Sequence, residues 1–158
     1  LKFYLYKKGF IKLAKDIYDE NNLNVSTLVT NTTQIKKNES SRSLLFDSRS
    51  NLYDVFYNKI KSVFIDLSYD IRDNFPSYYT SSCKLEYQLC GPDIIFTRDL
   101  KPYIFELNPN FPAFIYKNNR EIIIMKKQLA NILAKKLVDC AVKDEVILLE
   151  NYGFDLLL

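Results

Sequence analysis

The amino-acid sequence predicts an α+β domain in which an antiparallel β-sheet is flanked by helices. Short strand-like segments come first, a long amphipathic pattern follows, and the same order then repeats. The 158 residues, 47% of them hydrophobic, are enough for one domain with its own core. No internal repeat or low-complexity segment divides the chain, so we treat residues 1–158 as a single domain.

The first elements are predicted to form a hairpin. Residues 1–6 alternate apolar and mixed side chains, residues 7–9 (Lys-Lys-Gly) supply a turn, and residues 10–14 resume the alternation. The β-branched residues within 25–35 then predict a short strand that runs into a loop.

A polar segment separates these strands from the first long helix. Residues 36–50 are mostly charged or hydroxyl-bearing, which predicts a mobile loop, although the apolar residues 44–46 could pin its middle. Asn51 is a candidate helix cap, and Phe75 with the following proline ends the helical pattern. The apolar stripe of this helix comprises Leu52, Val55, Phe56, Ile60, Val63, Phe64, Leu67 and Ile71.

Two strands and a second helix complete the predicted order. Residues 93–97 and 103–107 read as strands joined by a turn, and Pro102 suits the start of a strand because its missing N–H can face outward. Asn118 or Asn119 then begins a long helix. Its apolar stripe comprises Ile122, Met125, Leu129, Ile132, Leu133, Leu137 and Ala141.

The composition excludes several kinds of active site. The chain has no histidine, which removes Ser-His-Asp and Cys-His catalysis, imidazole bases and histidine metal sites. Its three cysteines, Cys83, Cys90 and Cys140, lack C-x-x-C spacing and are predicted to be reduced thiols in an intracellular protein.

Charge and hydropathy limit the partners. A net charge of +3 is too weak to indicate nucleic acid. No apolar run reaches the roughly 18 residues that span a bilayer, and the first ten residues do not resemble a signal peptide. We therefore expect a soluble protein of the cytoplasm, with association with the cytoskeleton as an option and no membrane partner.

Both ends of the chain are apolar. The sequence begins at Leu1 without an initiator methionine, and its only methionine is Met125, so we expect a fragment of a longer protein. The apolar end, Phe154 and Leu156 to Leu158, should be buried in an intact domain, or else mark a contact with a missing part.

Two carboxylates stand inside the most strand-like segments. Side chains alternate along a strand, so Glu106 and Asn108 point the same way. If the hairpin is centred between Asp99 and Leu100, Asp93 lies directly opposite Glu106 with Cβ atoms about 5 Å apart. Like charges at this distance are destabilising unless a cation neutralises them, and three oxygen ligands favour Mg²⁺ or Mn²⁺.

An ordinary structural role is the alternative for this pair. One acid could face solvent, or pair with Arg98, Lys101 or another lysine, because acids on an exposed strand face are common. The spacing of the residues leaves both interpretations open.

A family resemblance favours the metal site. The segment YQLCGPDIIFTRDLKPYIFELNPNFPAF, residues 87–114, resembles the C-terminal signature of the tubulin-tyrosine ligase-like family of ATP-grasp ligases. That signature joins an aromatic residue, Gly-x-Asp, an apolar strand, a turn with Lys, and a strand ending in Glu-x-Asn near a proline. The matching residues are Tyr87, Gly91, Asp93, Lys101, Glu106, Asn108 and Pro112.

Two weaker similarities precede this segment. Residues 1–14 are similar to a family segment with a strand, a basic turn and an Arg-containing strand, although Lys12 stands where arginine is usual. Residues 28–37 resemble the family's His-Leu-Thr-Asn motif, with Thr30 and Asn31 retained and Leu28 in the histidine position. The resemblance covers roughly residues 1–142 and is strong only over 87–114.

The resemblance implies the C-terminal portion of an ATP-grasp fold and an ATP-driven amino-acid ligation. A carboxylate takes the γ-phosphate of ATP and releases ADP, and an amine then displaces phosphate from the acyl phosphate to form an amide. The acceptor would be a protein, perhaps as in the family the acidic tail of tubulin, and the donor free tyrosine, glutamate or glycine. The implied roles are metal and ATP binding for Asp93, Glu106 and Asn108, ATP binding for Lys101, and catalysis for Thr30, Asn31 and Lys12.

Two other functions stay open. The family's upstream half, with lysine-bearing strands and an Asp-x-Arg element, has no counterpart in this sequence, so a catalytically incomplete remnant that acts as a binding or scaffold module is one alternative. The other is an ATP-grasp ligase with a small-molecule substrate, because metal ligands are shared more widely than substrate contacts.

Overall fold

The computed structural model is mixed α/β with small antiparallel sheets. It describes residues 2–21, 24–28, 42–75, 87–109, 119–143 and 148–158. The elements are β1 (Tyr4–Tyr6), β2 (Gly9–Leu13), α1 (Val25–Leu28), β3 (Arg42–Phe46), α2 (Tyr53–Asn74), β4 (Gly91–Phe96), β5 (Pro102–Asn108), α3 (Arg120–Lys143), a 3-10 turn (Leu149–Tyr152) and β6 (Phe154–Leu156). The described strands form three two-stranded sheets, β1–β6, β2–β3 and β4–β5. The predicted α+β class with antiparallel strands is therefore confirmed, but the single sheet was wrong.

The first two strands form but do not pair with each other, so the predicted hairpin was wrong. Tyr4 lies opposite Leu156 in one sheet, and Gly9 lies opposite Phe46 in another. The backbone N–H of Lys7 donates to the carbonyl of Gly153 (2.9 Å), which extends the contact between the two ends of the chain. Strand β1 thus pairs with a segment far away in sequence, and the alternation of apolar and polar residues within β1 does not predict which segment this is.

The β-branched segment begins as a helix rather than a strand. The carbonyl of Asn24 accepts the backbone N–H groups of Thr27 and Leu28 and the Thr27 hydroxyl, at 2.7–3.2 Å, and α1 is one turn long. Strand propensity depends on neighbours to pack against, and these local hydrogen bonds favour the turn. The rest of the predicted strand, residues 29–35, lies outside the described residues.

The second half of the predicted loop is a strand. Residues 42–46 form β3, which pairs with β2, and Phe46 is only 7% exposed. The burial of Phe46 and the pairing with β2 outweigh the polar composition of the segment, although Leu44 is 40% exposed. Residues 36–41 lie outside the described residues.

Helix α2 was predicted correctly except for its start. Its N-cap is Leu52, which makes no capping side-chain hydrogen bond, so the assignment of Asn51 as the cap was wrong. The carbonyl of Ser50 accepts the Tyr53 N–H at 2.9 Å, and this turn brings the chain into the helix. The predicted end is confirmed, because Phe75 caps the last turn through its N–H to the Ile71 carbonyl.

The buried side of α2 is aromatic. Tyr53 and Tyr57 are 7% exposed and stack at 5.0 Å between ring centroids, and Phe46 packs on Tyr53 at 4.9 Å. These three residues are the centre of a core that Leu5, Ile11, Phe56 and Ile60 extend. Val55, which belongs to the predicted stripe, is 46% exposed, because the buried face is rotated toward the tyrosines.

Helix α3 starts as predicted, and its stripe is buried or half-buried from Ile122 to Leu137, whereas Ala141 of the predicted stripe is exposed. The Asn119 Oδ1 accepts the N–H groups of Glu121 and Ile122 at 3.0 and 3.3 Å, which satisfies two of the unpaired amides of the first turn. Its Nδ2 donates to the carbonyl of Ser43 (2.9 Å) and ties the helix to β3. The buried apolar residues of this helix are Ile122, Met125 and Leu129.

The apolar end of the chain is a strand. Phe154 is 4% exposed and lies 4.8 Å from the ring of Tyr6, so the expected burial is confirmed at this residue, whereas Leu156 is 42% exposed. Gly153 has φ +85°, a left-handed conformation that suits glycine and turns the chain from the 3-10 turn into β6.

A candidate carboxylate site on the hairpin of β4 and β5

The turn between β4 and β5 is a three-residue loop. The N–H of Thr97 donates to the carbonyl of Lys101 (3.0 Å), and the N–H of Leu100 donates to the carbonyl of Thr97 (2.9 Å). Leu100 adopts φ +60°, which matches a type I turn followed by one left-handed residue. The hairpin is therefore centred on Asp99, and the predicted centre between Asp99 and Leu100 was wrong.

A β-bulge nonetheless brings the two acids opposite each other. Near the turn Ile94 lies opposite Ile104, but Asp93 lies opposite Glu106, so β5 contains one extra residue, Phe105. The extra residue shifts the register of β5 by one position, and this shift compensates for the error in the predicted turn centre. The predicted pairing of Asp93 with Glu106 is confirmed, although it arises from two offsets that cancel.

The two carboxylates are exposed and are not neutralised by the described residues. Neither Asp93 nor Glu106 makes an ion pair or a side-chain hydrogen bond within this part of the chain. Directly opposite residues on antiparallel strands have Cβ atoms about 5 Å apart, a distance at which like charges destabilise the pair. Lys101 lies at the turn end of the hairpin, about 13 Å along the strands from the two carboxylates. Its Nζ is 5.1 Å from the Tyr103 ring centroid.

Asn108 contributes a third oxygen at the open end of the hairpin. It lies opposite Gly91, and its Nδ2 donates to the Gly91 carbonyl at 3.2 Å. This bond uses the amino end of the amide and leaves Oδ1 as the end for a ligand. Two carboxylates and an amide oxygen are a donor set that fits a hard divalent cation.

Helix α2 supports one face of the hairpin. Phe96 contacts Phe56 edge to face at 4.7 Å, and Ile94, two residues earlier on the same face, is half-buried. Asp93 and Ile95 alternate with these residues and are exposed. The carboxylates therefore lie on the side of the hairpin that α2 does not cover.

Of the other predicted site residues, the structure describes Lys12 and Tyr87. Lys12 lies on β2, in a different sheet, with Nζ 5.8 Å from the Phe10 ring centroid. Tyr87 is exposed, 66%, just before β4. Thr30, Asn31 and Pro112 lie outside the described residues.

A buried lysine next to Lys12 was missed. Lys126 is 2% exposed, and its Nζ lies 5.3 Å from the ring centroid of Phe10, the ring that Lys12 also approaches. Burial lowers the pKa of Lys126, and the positive charge of Lys12 lowers it further. The sequence held a signal, because Lys126 stands four residues after Ile122 and three before Leu129, on the apolar stripe of α3.

A second missed residue is Asp155 of β6. Its carboxylate accepts Lys7 Nζ at 2.8 Å, Lys61 Nζ at 2.7 Å and the Tyr57 hydroxyl at 3.1 Å. Burial alone would raise the pKa of Asp155, but the hydrogen bonds from Lys61, Lys7 and Tyr57 outweigh it and lower the pKa to about 2. We call these four residues the Asp155 cluster.

The tyrosines beside this cluster stay neutral at physiological pH. The Tyr53 hydroxyl donates to the Lys7 carbonyl at 2.7 Å, and burial, together with the charges of Asp155 and other acids, raises the pKa of Tyr53 to about 12. Burial and Asp155 raise the pKa of Tyr57 as well. Both tyrosines therefore act as hydrogen-bond donors rather than as bases.

Other chemistries have little support in the described residues. This part of the chain contains no group of three or more His, Cys, Asp or Glu side chains that could hold a metal, so the candidate ligand set depends on the amide of Asn108. Cys90 and Cys140 are free thiols as predicted, and Cys83 lies outside the described residues. None of the helices described is long and apolar enough to cross a membrane.

No protein-family model, no curated protein and no solved structure matches the chain. The resemblance of residues 87–114 to a ligase family therefore stays an expectation from the motif residues, and the hairpin geometry has to carry the functional argument.

Proposed function

We propose that the hairpin of β4 and β5 binds a divalent cation, Mg²⁺ or Mn²⁺, through Asp93, Glu106 and Asn108. The observation that carries the proposal is the cross-strand pairing of Asp93 with Glu106. Two exposed carboxylates held side by side repel each other, and a cation shared between them removes the repulsion. Asn108 adds a neutral oxygen two residue pairs further along the ladder, on the same face as Glu106.

We further propose that the cation serves ATP in an amino-acid ligase. The support is the motif of residues 87–114, whose acidic and amide residues are the ones that the hairpin brings together. A Mg²⁺ ion bound there would neutralise phosphate charge. The product would be a protein, such as tubulin, that carries added tyrosine, glutamate or glycine.

The chain's own residues would position the phosphates. Asp93 and Glu106 are rigidly placed because they lie on paired strands that rest on α2 through Phe96 and Phe56. The side chain of Lys101 is exposed at the turn, where it contacts Tyr103, and its role toward a phosphate stays a prediction from the resemblance. For Lys12, Thr30 and Asn31 the catalytic role stays a prediction from the resemblance.

Calorimetry with Mn²⁺ and ATP on the full-length gene product tests the cation site. We expect Glu106→Gln and Asp93→Asn each to weaken binding about tenfold or more, which corresponds to at least about 1.4 kcal/mol. Asp66→Asn is the matched control, because Asp66 is an exposed acid on α2. Equal binding by wild type, Glu106→Gln and Asp66→Asn would refute the site.

Incorporation of labelled amino acids into tubulin tests the ligase activity. We expect ATP-dependent labelling with tyrosine, glutamate or glycine that Glu106→Gln abolishes. Binding of Mn²⁺ and ATP without labelling of any protein would favour a small-molecule ligase. If the wild-type protein neither binds Mn²⁺ and ATP nor labels any protein, the result would favour the scaffold module.

A further inference from the structure

Helix α3 concentrates the positive charge of the protein. It contains six basic and two acidic residues, a net charge of +4, whereas the whole chain has +3. The rest of the sequence is therefore close to neutral. A single helix with this excess points to an anionic partner rather than to general solubility.

Three of the six cations lie on one exposed face of α3. Arg120, Lys127, Asn131 and Lys135 are spaced by seven, four and four residues, which places them along one side of a helix, and all four are exposed. None of the three basic residues in this row makes an ion pair within the described residues.

Both acids of the helix are already engaged elsewhere. Glu121 lies 3.7 Å from Arg49, and Asp139 pairs with Lys143 at 3.0 Å and with Lys136 at 3.9 Å. Glu121 does not belong to the row, but Asp139 follows Lys135 by four residues and lies at the end of it. Among the described residues, Arg120 and Lys127 therefore have no acid paired with them, whereas the charge of Lys135 is partly balanced by Asp139, which also pairs with two other lysines.

Aliphatic side chains lie among these cations. Ile124 is 45% exposed, Val138 60% and Val142 77%, and helical spacing puts all three on the cationic face. A solvated helix face normally carries polar residues at such positions. Exposed aliphatics between unpaired cations are typical of a surface that contacts a partner.

A groove adjoins this face. It has a volume of about 490 Å³ and is lined by Tyr6, Lys8, Gln128, Asn131, Ile132, Tyr152 and Gly153. Gln128 and Asn131 are exposed residues of α3, so the groove is continuous with the cationic face. Lys8 brings a further exposed cation, and the two tyrosine rings offer a wall for one apolar or aromatic side chain.

We propose that the outer face of α3, together with this groove, docks an acidic peptide segment that carries apolar side chains. The face from Arg120 to Val142 is about 33 Å long, the length of an extended peptide of about ten residues. Carboxylates would meet Arg120, Lys127 and Lys135, and an apolar side chain would enter the groove. If the ligase proposal is correct, the segment is the protein acceptor, and that identification alone rests on the proposed function.

A peptide fits this surface better than a membrane or a nucleic acid. Helices that lie on membranes bury large residues such as Trp, Phe and Leu, whereas the exposed apolar residues among these cations are Ile and Val. Nucleic-acid surfaces combine dense positive charge with stacking aromatics. The helix row has three cations and no aromatic, and the two tyrosine rings of the groove already contact Phe154 and Lys136.

Fluorescence anisotropy with a labelled peptide tests the docking. The probe is a glutamate-rich peptide of about ten residues with one Phe and two Val, added to the full chain without metal or ATP. We expect Lys127→Glu combined with Lys135→Glu to weaken binding about tenfold or more, because two attractions become repulsions. The milder Lys127→Gln with Lys135→Gln should weaken it about threefold, and added salt should weaken wild-type binding.

Matched variants separate this surface from general charge effects and from the cation site. Lys15→Glu with Lys59→Glu changes the net charge equally at exposed positions elsewhere and should leave peptide binding within about twofold of wild type. Glu106→Gln should leave it unchanged. Equal losses in both double variants, no saturable binding, or tighter binding of anionic vesicles or single-stranded RNA would overturn the proposal.

Discussion

The Asp155 cluster and the Asp93–Glu106 pair place acids on short antiparallel strands in opposite circumstances. Asp155 accepts two lysine ammonium groups and a tyrosine hydroxyl at 2.7–3.1 Å. Asp93 and Glu106 face each other, exposed, with no ion pair among the described residues. Within the part of the chain that the structure describes, one acid is thus neutralised and two others have no ion pair.

This difference distinguishes a structural acid from a candidate binding site. A carboxylate whose oxygens are all engaged stabilises the fold and has little left for a ligand. A pair of like charges lowers stability by itself and gains stability when a cation binds. The candidate functional residues are therefore those whose charge the fold does not satisfy.

The largest expected effect is on the Asp155 cluster. Asp155→Asn should lower the free energy of unfolding by about 2–3 kcal/mol, because two lysines lose a partly buried partner. Urea denaturation measures this change, with Asp66→Asn expected within about 0.5 kcal/mol of wild type. An equal effect of the two substitutions would remove the distinction between the two regions.

The pH dependence of stability should come from the same carboxylate. The pKa of Asp155 is about 2 in the folded protein and about 4 when unfolded. Its contribution, about 2 kcal/mol, is fully present above pH 4 and is lost as the pH falls toward 2. The difference in unfolding free energy between wild type and Asp155→Asn should shrink over that interval, and a constant difference would contradict the assignment.

Removal of one cation of the cluster should have a smaller effect. Lys61→Met should cost about 1 kcal/mol, because Lys7 still pairs with Asp155 and the side chain of Lys61 is partly exposed. Lys59→Met, an exposed lysine two residues earlier, is the control for thermal or urea unfolding. A cost as large as that of Asp155→Asn would mean that Lys7 contributes little.

The smallest expected change in the free energy of unfolding is a gain in stability, in Glu106→Gln. Without divalent cations, Glu106→Gln should stabilise the protein by about 0.3–0.5 kcal/mol, because it removes a cross-strand repulsion. The gain should decrease in high salt, which screens exposed charges. Destabilisation by Glu106→Gln in metal-free buffer would show that Glu106 has a structural partner, as Asp155 does.

Much of the fold was predictable because it follows local patterns. The stripe of α3, the end of α2 and Pro102 as the first residue of β5 were read from periodicity and from the absence of a proline N–H. The pairing of Asp93 with Glu106 was also predicted, although neither the bulge at Phe105 nor the turn centred on Asp99 was. The missed bulge and the misplaced turn centre shift the register in opposite directions, so the predicted pair was correct.

The features that sequence reasoning missed depend on distant segments. Strand β1 pairs with the end of the chain, β3 emerges from a polar stretch, and Asp155 meets partners more than ninety residues away. No local spacing connects Asp155 to Lys61. The burial of Lys126 likewise required β2 to place Phe10 beside α3.

The sequence by itself determined which segments are helices and strands over most of the described chain and which residues of the second hairpin carry charge. Periodicity is a property of neighbouring residues, and their side chains meet whatever the rest of the chain does. Only the tertiary structure decided which strands pair, and whether each charge has a partner. Those choices depend on burial and hydrogen bonding between segments far apart in sequence. The same kind of residue therefore stabilises the fold at Asp155, whereas at Asp93 it makes no ion pair with any residue that the structure describes.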